Sequence, residues 1–201
     1  YKSFNINSSE SLIINLPSVS NDILNRVIGN SMSQILGNIN INGIFILVNP
    51  NGINIGSSAQ INAAGFVAST REILNSNFLN SKYIFEKMSN DQLDYLLLNQ
   101  GKINITRGGF GVLIAGAVEN QGTIIAPLGT VAMAGADMVT LDISGDNSIS
   151  LAINREVAST IYDQGGNPIT NQLKNTGTLQ ANGGLVMLKA ESAPGIFSKA
   201  V

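Results

Sequence analysis

Hydrophobic and polar residues alternate along much of the chain. Isoleucine alternates with asparagine at positions 39–42, 53–55 and 103–105. Alternation with period two is typical of a β-strand that buries one face. Residues 44–48 are apolar throughout, so this run is too apolar for a half-exposed strand. The pattern therefore predicts many short strands.

A short opening pattern recurs along the chain. Residues 99–103, 120–124 and 175–179 each begin with Asn, have Gly at the third position and end with Ile or Leu. A small-residue turn and a second apolar strand follow each opening. A repeat of about 20 residues built of short strands is the signature of a solenoid. The pattern of leucine-rich repeats is missing from the sequence, so the repeat predicts an all-β parallel β-helix with strands stacked about 4.8 Å apart.

The apolar residues of these strands are expected to fill the interior of the β-helix. In the first fully apolar strand, Ile44, Ile46 and Val48 are expected to point inward. The same orientation is expected in later coils for Val112, Ile114, Val131, Met133, Val186 and Leu188. Asparagine side chains that stack between coils are expected to hydrogen-bond to one another.

Two stretches interrupt the repeat. Residues 71–98 lack it, and a capping-box sequence at 89–92, followed by leucines on one helical face, predicts a short helix over 90–98. Residues 138–174 contain two apolar strands around a turn at 144–147, which predicts a β-hairpin outside the β-helix. We therefore treat residues 1–201 as one domain with five parts: motif-bearing coils (1–70), an irregular stretch with the short helix (71–98), regular coils (99–137), the hairpin and its return (138–174) and a further coil (175–201).

Composition narrows the classes of function. Charged residues are only 12% of the chain and the net charge is -2, so nothing favours binding to nucleic acid or to an anionic membrane. Cysteine and histidine are absent from the sequence, which removes disulfides and the commonest general base and metal ligand. We therefore predict no catalytic residue, no cofactor and no metal site.

A set of motifs in the first third of the chain resembles a known family. Residues 24–29, 33–37, 42–53 and 63–70 occur in the order seen in two-partner secretion domains. These are the amino-terminal domains of filamentous haemagglutinin-like exoproteins, also known as the haemagglutination activity domain family. The similarity is closest over residues 1–72 and weaker in the later coils. The family's second motif, Asn-Pro-Asn-Leu, does not occur in this sequence.

The resemblance implies a fold, a partner and a location. Domains of this family are right-handed, single-stranded parallel β-helices, here with a short helix and an extra-helical hairpin. An outer-membrane barrel transporter recognises the unfolded domain through its periplasmic POTRA modules and exports it to the medium or the cell surface. We expect the chain to be a monomer and a part of a much longer exoprotein, whose remaining parts contact a host or neighbouring cell.

The resemblance also implies which residues serve secretion and folding. The candidate residues are Asn25, Arg26, Val27, Asn49, Pro50, Asn51, Gly52, Ile53, Ala68, Ser69 and Thr70. Residues 49–52 (Asn-Pro-Asn-Gly) suit a tight turn by composition alone. Arg26 and Arg71 lie in otherwise uncharged stretches, and each is either a contact of the transporter or a hydrogen-bonded structural residue.

Two other functional classes compete with secretion. Pectate-lyase-like enzymes share the β-helix fold but need clustered Asp and a basic residue, whereas Asp137, Asp142, Asp146 and Asp163 are spread along the sequence. A glycine-rich stretch at 108–111 lacks the Lys-Ser/Thr of a phosphate loop. The other alternative is a stand-alone adhesin-like binding module. It would need aromatic residues on one face, but the sequence predicts scattered or buried positions for Phe66, Phe78, Tyr83, Phe85 and Tyr95.

Overall fold

The computed structural model describes residues 1–89, 93–144 and 148–201 of the chain. Within these residues it contains many short strands and one short helix. The strands are β1 (Ser11–Ile14), β2 (Asp22–Arg26), β3 (Ser33–Ile35), β4 (Asn38–Ile41), β5 (Ile44–Val48), β6 (Ile53–Ile55), β7 (Gln60–Ser69), β8 (Tyr83–Glu86), β9 (Asp94–Tyr95), β10 (Leu97–Asn99), β11 (Lys102–Ala115), β12 (Val118–Asn120), β13 (Thr123–Ile125), β14 (Thr130–Gly135), β15 (Met138–Ile143), β16 (Ile149–Arg155), β17 (Ile161–Tyr162), β18 (Leu173–Asn175), β19 (Thr178–Gln180) and β20 (Leu185–Ala190). The helix is α1 (Asn75–Leu79).

The strands form the three faces of a parallel β-helix, which confirms the fold predicted from the repeats. Face A contains β1, β4, the first part of β7, the first part of β11, β13 and β19. Face B contains β2, β5, the second parts of β7 and β11, β14 and β20. Face C contains β3, β6, β10, β12 and β18. Every pairing between successive coils on these faces is parallel.

Two insertions leave the β-helix at the same corner, between face B and face C. Insertion 1 (residues 71–96) follows β7, and insertion 2 (residues 137–172) follows β14. The predicted hairpin is confirmed, because β15 and β16 of insertion 2 pair antiparallel. Strand β8 of insertion 1 adds to the same sheet beside β15. Part of the predicted turn, residues 145–147, lies outside the described residues.

The helix predicted over 90–98 is wrong. Residues 90–92 lie outside the described part of the chain, and strands β9 and β10 occupy most of the remainder. Leu97 is fully buried and pairs with Ile53 on one side and Val118 on the other. Parallel pairing on both sides therefore overrides the local helical pattern. The described helix, α1, lies earlier in insertion 1.

Two apolar cores lie on opposite sides of face B. The inner core, inside the β-helix, contains Phe45, Leu47 and Phe66, and the two phenylalanine rings stack at 6.2 Å between centroids. The outer core lies between face B and the sheet formed by β8, β15 and β16, and includes Phe85 and Val139. Strand β5 is therefore buried on both sides.

The predicted inward register is wrong in strands β5 and β11. Ile44, Ile46, Val48, Val112 and Ile114 point outward into the outer core. An apolar outer core covers these strands, so both of their sides are apolar and the sequence does not show which residues point inward. A register shifted by one residue exchanges the inward-pointing and outward-pointing residues. In β14 the prediction is confirmed, because Val131 and Met133 belong to the inner core.

Strand β20 keeps the inward register. Val186 and Leu188 pair with Val131 and Met133, so they point to the same side of the sheet. Both lie on the outermost strand of face B and are 42% and 39% exposed.

Asparagine ladders connect the coils, as predicted from the Ile-Asn alternation. On face A, Asn62 donates to Asn40 at 2.8 Å and Asn104 donates to Asn62 at 2.9 Å. A second ladder lies at the end of face C, where the side chains of Asn99 and Asn120 are buried. These amide chains satisfy polar groups between coils and fix which residues stack on one another.

Candidate functional site

The three predicted motif stretches meet at one place in the fold. They lie where face B ends in the first three coils, and we call residues 25–27, 49–53 and 68–70 together the motif corner. Asn25 pairs with Leu47, which pairs with Ala68 in the next coil. The backbone continues this stacking beyond the strands, since the N–H of Asn49 donates to the carbonyl of Ser69 at 2.9 Å. Residues separated by some twenty positions in sequence are therefore direct neighbours.

The second stretch forms the tight turn expected from its composition. The N–H of Gly52 donates to the carbonyl of Asn49 at 3.1 Å, which closes a β-turn. Gly52 has a positive φ of 104°, and a Cβ at this position would lie 2.7 Å from Cε of Met32. The backbone conformation therefore requires glycine at the end of the turn.

The two asparagines of the turn hold successive coils together. The Asn49 amide donates to Oγ of Ser33 at 2.9 Å and to the carbonyl of Ser31 at 3.0 Å. The Asn51 amide donates to the carbonyl of Gly29 at 2.7 Å. Asn49 also accepts hydrogen bonds from the backbone and side chain of Asn51. Its side chain is thus saturated with partners, and its exposed fraction is 0%.

Several candidate residues contribute to packing. Val27, Ile53 and Ala68 belong to the inner core and are almost completely buried. Asn25 is also buried, and its amide donates to the carbonyl of Ile46 at 3.4 Å. Oγ of Ser69 accepts from the N–H of Arg71 and donates to its carbonyl, each at 2.9 Å. In the folded domain these side chains are not accessible to a partner.

Arg26 connects the first coil to insertion 1. Its Nε lies 3.0 Å from a carboxylate oxygen of Glu72, its guanidinium donates to Oδ1 of Asn75 at 2.6 Å, and it also contacts the carbonyl of Ile73. Burial raises the pKa of the Glu72 carboxyl above its ordinary value, and the positive charge of Arg26 opposes this rise. The Arg26 side chain is therefore a hydrogen-bonded structural residue in the folded state.

Arg71 is the centre of a buried charge cluster. Its guanidinium forms two parallel bonds of 2.8 Å to the carboxylate of Asp94 and a bond of 2.9 Å to Asp137. Lys87 completes the cluster, with Nζ 3.3 Å from Asp94. The sequence identified Arg71 as a candidate residue, but no period of the repeat indicated its partners in the two insertions.

A groove of about 690 Å³ lies beside the motif corner. Arg26, Pro50 and Thr70 line it, so each of the three motif stretches supplies one residue to its wall. Exposed apolar side chains from insertion 1 and the first coil form much of the rest; they are Ile28, Leu74, Met88 and Leu93.

The residues required by the competing functions are not brought together. Asp137 pairs with Arg71, Asp142 is exposed on the hairpin, and the backbone and side chain of Asn167 hold Asp163. Asp146 lies outside the described residues. Over the described ranges, no group of three or more acidic, His or Cys side chains is placed to hold a metal ion.

Aromatic side chains do not form an exposed binding face at the positions considered. Phe66 and Phe85 are completely buried and Tyr83 is 9% exposed. Phe78 packs against Tyr83 with 6.4 Å between ring centroids. Within residues 1–89, 93–144 and 148–201, no helix is long and apolar enough to span a membrane.

Comparison with known proteins agrees with this architecture. A crystal structure of the HMW1 secretion domain from Haemophilus influenzae matches 87% of this chain and 48% of that chain, with a TM-score of 0.71 and 32% sequence identity. A heme/hemopexin-binding protein of Haemophilus influenzae is 32% identical over 173 residues, which are 83% of this chain and 19% of that protein. The protein adenylyltransferase and cysteine protease IbpA of Histophilus somni is 32% identical over 112 residues, which are 51% of this chain and 2% of that protein.

The chain thus spans less than a fifth of the first of these full-length relatives. The family model described as the TPS secretion domain matches residues 1–201. Because this model covers the whole chain and the β-helix agrees with a solved secretion domain, the chain belongs to the TPS family, the secretion domains of two-partner secretion exoproteins.

Proposed function

We propose that this domain directs a large exoprotein to its cognate outer-membrane barrel transporter and that it starts β-helix folding outside the cell. The POTRA modules of the transporter bind the domain unfolded, during a short stay in the periplasm. The mature product is secreted or displayed on the bacterial surface. The domain acts as a monomer, has no catalytic activity and does not bind nucleic acid, for which a net charge of -2 gives no electrostatic attraction.

Burial of the motif corner carries this proposal. The side chains of Asn25, Asn49 and Ser69 are buried and hydrogen-bonded in the folded domain. A partner that reads these residues must therefore meet them before folding. The same side chains later join the first three coils, so one set of residues serves recognition in the unfolded chain and closure of the corner in the folded one.

Strand β5 is the best candidate for the segment that the transporter holds. An extended apolar segment binds well by adding a strand to an exposed sheet edge. In the folded domain β5 is paired on one side with β2 and on the other with β7. Its backbone is consequently available to a POTRA module only while the chain is unfolded.

The topology favours slow folding. Coil contacts join residues that are far apart, as in the hydrogen bonds from Asn104 to Asn62 over 42 positions and from Asn120 to Asn175 over 55 positions. Contacts of this kind require long loops to close before any pairing is gained, which slows folding. Slow folding keeps the chain extended long enough to reach the transporter.

The test is export of the double variant Asn49→Ala with Asn51→Ala in cells that carry the cognate transporter. Because the variant also loses corner hydrogen bonds, it needs a control of equal stability. Ile124→Ala removes a buried inner-core side chain on face A, which pairs with no strand of the motif corner, and should lower the free energy of unfolding by about 2–5 kcal/mol. Urea denaturation of both purified proteins establishes that the losses match.

We expect the double variant to be exported much less than Ile124→Ala. This result would mean that the turn side chains contribute to recognition beyond their effect on stability. Equal export of the two variants would show that the motif is only a structural corner.

A further inference from the structure

Asparagine is followed directly by glycine at three places in this chain, positions 42–43, 51–52 and 182–183. This pair is chemically labile, because glycine has no Cβ to shield its backbone nitrogen from the side-chain amide before it. The three pairs have different surroundings in the folded domain, and these surroundings determine which pair can react.

The side chain of Asn42 is held by the backbone of an earlier loop. Its Oδ1 accepts from the N–H of Leu16 at 2.7 Å, and its Nδ2 donates to the carbonyl of Leu16 at 2.8 Å. Gly43 is buried. Rotation of the Asn42 amide towards the nitrogen of Gly43 would therefore break two hydrogen bonds at once.

The second pair belongs to the turn of the motif corner. The Asn51 amide donates to the carbonyl of Gly29 at 2.7 Å. The N–H of Gly52 donates to the carbonyl of Asn49 at 3.1 Å, and Gly52 is buried. The amide of Asn51 and the backbone nitrogen that would attack it are consequently both engaged elsewhere.

The third pair lies in the exposed turn between β19 and β20. The N–H of Gly184 closes this turn by donating to the carbonyl of Ala181 at 2.7 Å. Asn182 and Gly183 are both exposed. In the part of the chain that the structure describes, no hydrogen bond engages the side chain of Asn182 or the N–H of Gly183. Both reacting groups of this pair are thus available.

The preceding coil shows that an amide side chain is not needed to form this turn. Residues 126–129 (Ala-Pro-Leu-Gly) form the equivalent turn, in which the N–H of Gly129 donates to the carbonyl of Ala126 at 3.0 Å. The strands that follow the two turns pair in register, with Thr130 opposite Leu185. Asn182 can therefore change chemically without loss of a side chain on which the fold depends.

We propose that Asn182 is a site of spontaneous deamidation in the folded domain, whereas folding protects Asn42 and Asn51. The backbone nitrogen of Gly183 attacks Cγ of Asn182, and the side-chain NH2 leaves as ammonia with the proton from that nitrogen. The product is a cyclic succinimide. Water then opens one of the two carbonyl–nitrogen bonds of the ring, which gives either aspartate or isoaspartate.

Both products change the turn between β19 and β20. Each adds a negative charge, and isoaspartate also lengthens the main chain by a carbon atom within a closed turn. The carbonyl of Asn182 accepts from the N–H of Leu128 at 2.9 Å, so this turn is bonded to the equivalent turn of the preceding coil. Formation of isoaspartate should therefore loosen the stacking of the two turns.

Peptide mapping by mass spectrometry tests the proposed site. The purified domain is kept in warm, mildly alkaline buffer, once folded and once unfolded in guanidinium chloride, and samples are digested at intervals with chymotrypsin. Cleavage after Phe45 separates Asn42 from Asn51, and tandem spectra assign each exchange of NH2 for OH to a position.

We expect all three asparagines to react in the unfolded chain. In the folded domain Asn182 should react within about threefold of its unfolded rate, whereas Asn42 and Asn51 should each be slowed at least about tenfold. Reaction of Asn42 or Asn51 in the folded domain as fast as that of Asn182 would overturn the proposal. Slowing of Asn182 by as much as Asn51 would overturn it as well.

Two variants test the effect on the turn. Asn182→Gln has a longer side chain that forms the corresponding ring much more slowly, and Asn182→Asp supplies the charge with an unchanged main chain. We expect hydrogen exchange of residues 181–188 to become faster in the aged wild type than in either variant. Equal exchange in the aged wild type and in Asn182→Gln, once isoaspartate has formed, would reject the loosening of the turn. Deamidation of the folded domain does not depend on the proposed export role, so either can fail without the other.

Discussion

Replacement of Asn49 by Ala tests whether the motif corner is held by the hydrogen bonds of one side chain. The amide of Asn49 donates to Ser33 and to the carbonyl of Ser31, at 2.9 and 3.0 Å. Ser33 is completely buried. Leaving buried acceptors without a donor costs about 1–3 kcal/mol.

The two hydrogen bonds from Asn51 to the Asn49 side chain add a smaller share. They are only partly buried, so water can replace much of what is lost, and each contributes about 0.5–1 kcal/mol. The structure therefore predicts a decrease of about 2–5 kcal/mol in the free energy of unfolding for Asn49→Ala.

Urea denaturation followed by circular dichroism measures this decrease, provided that the dependence of the free energy of unfolding on urea concentration is the same in both proteins. Asn62→Ala is the matched control, since Asn62 also makes two side-chain hydrogen bonds between coils but lies partly exposed on face A. We expect the control to lose about 1 kcal/mol. A loss for Asn49→Ala no larger than that of the control would refute the reasoning.

Two further predictions concern the outer layer. Ile46→Asp places an unpaired carboxylate in the outer core and should lower the free energy of unfolding by several kcal/mol. An unchanged melting temperature would mean that the sheet formed by β8, β15 and β16 does not cover face B. Burial, together with the hydrogen bond to Asp22 at 2.7 Å, raises the pKa of the Tyr83 hydroxyl above its ordinary value. Above about pH 10 the unfolded chain loses this proton while the folded domain keeps it, so the free energy of unfolding falls as the pH rises. Tyr83→Phe should remove this part of the fall, which urea midpoints measured between about pH 9 and about pH 11 would show.

The sequence predicted the coil but not the side to which its strands point. The repeat of Asn, Gly and an apolar residue is a direct consequence of one coil stacking on the next, so it identified the solenoid. In β5 every residue is apolar, because one side faces the inner core and the other the outer core. Alternation carries no information in such a strand, and the inward register of Ile46 was consequently wrong.

Charges outside the repeat were the hardest to interpret. Arg71 is followed directly by Glu72, yet its ion-pair partners are Asp94 and Asp137 in the two insertions, which follow no period. Their meeting depends on where the insertions leave and rejoin the coil, which local sequence does not encode. For the same reason the leucines near Asp94 were mistaken for one face of a helix, when Leu97 belongs to a coil strand.

The ladder at the end of face C shows how such a solenoid accommodates changes in length. Asn99 and Asn120 are 21 positions apart, whereas Asn120 and Asn175 are 55 positions apart, yet both pairs are joined by the same hydrogen bond of 2.7 Å. Residues added at the corner before face C thus leave the hydrogen bonds between asparagines of successive coils unchanged. Surface segments of this domain can therefore lengthen, shorten or be exchanged there without shifting the register of any coil above or below.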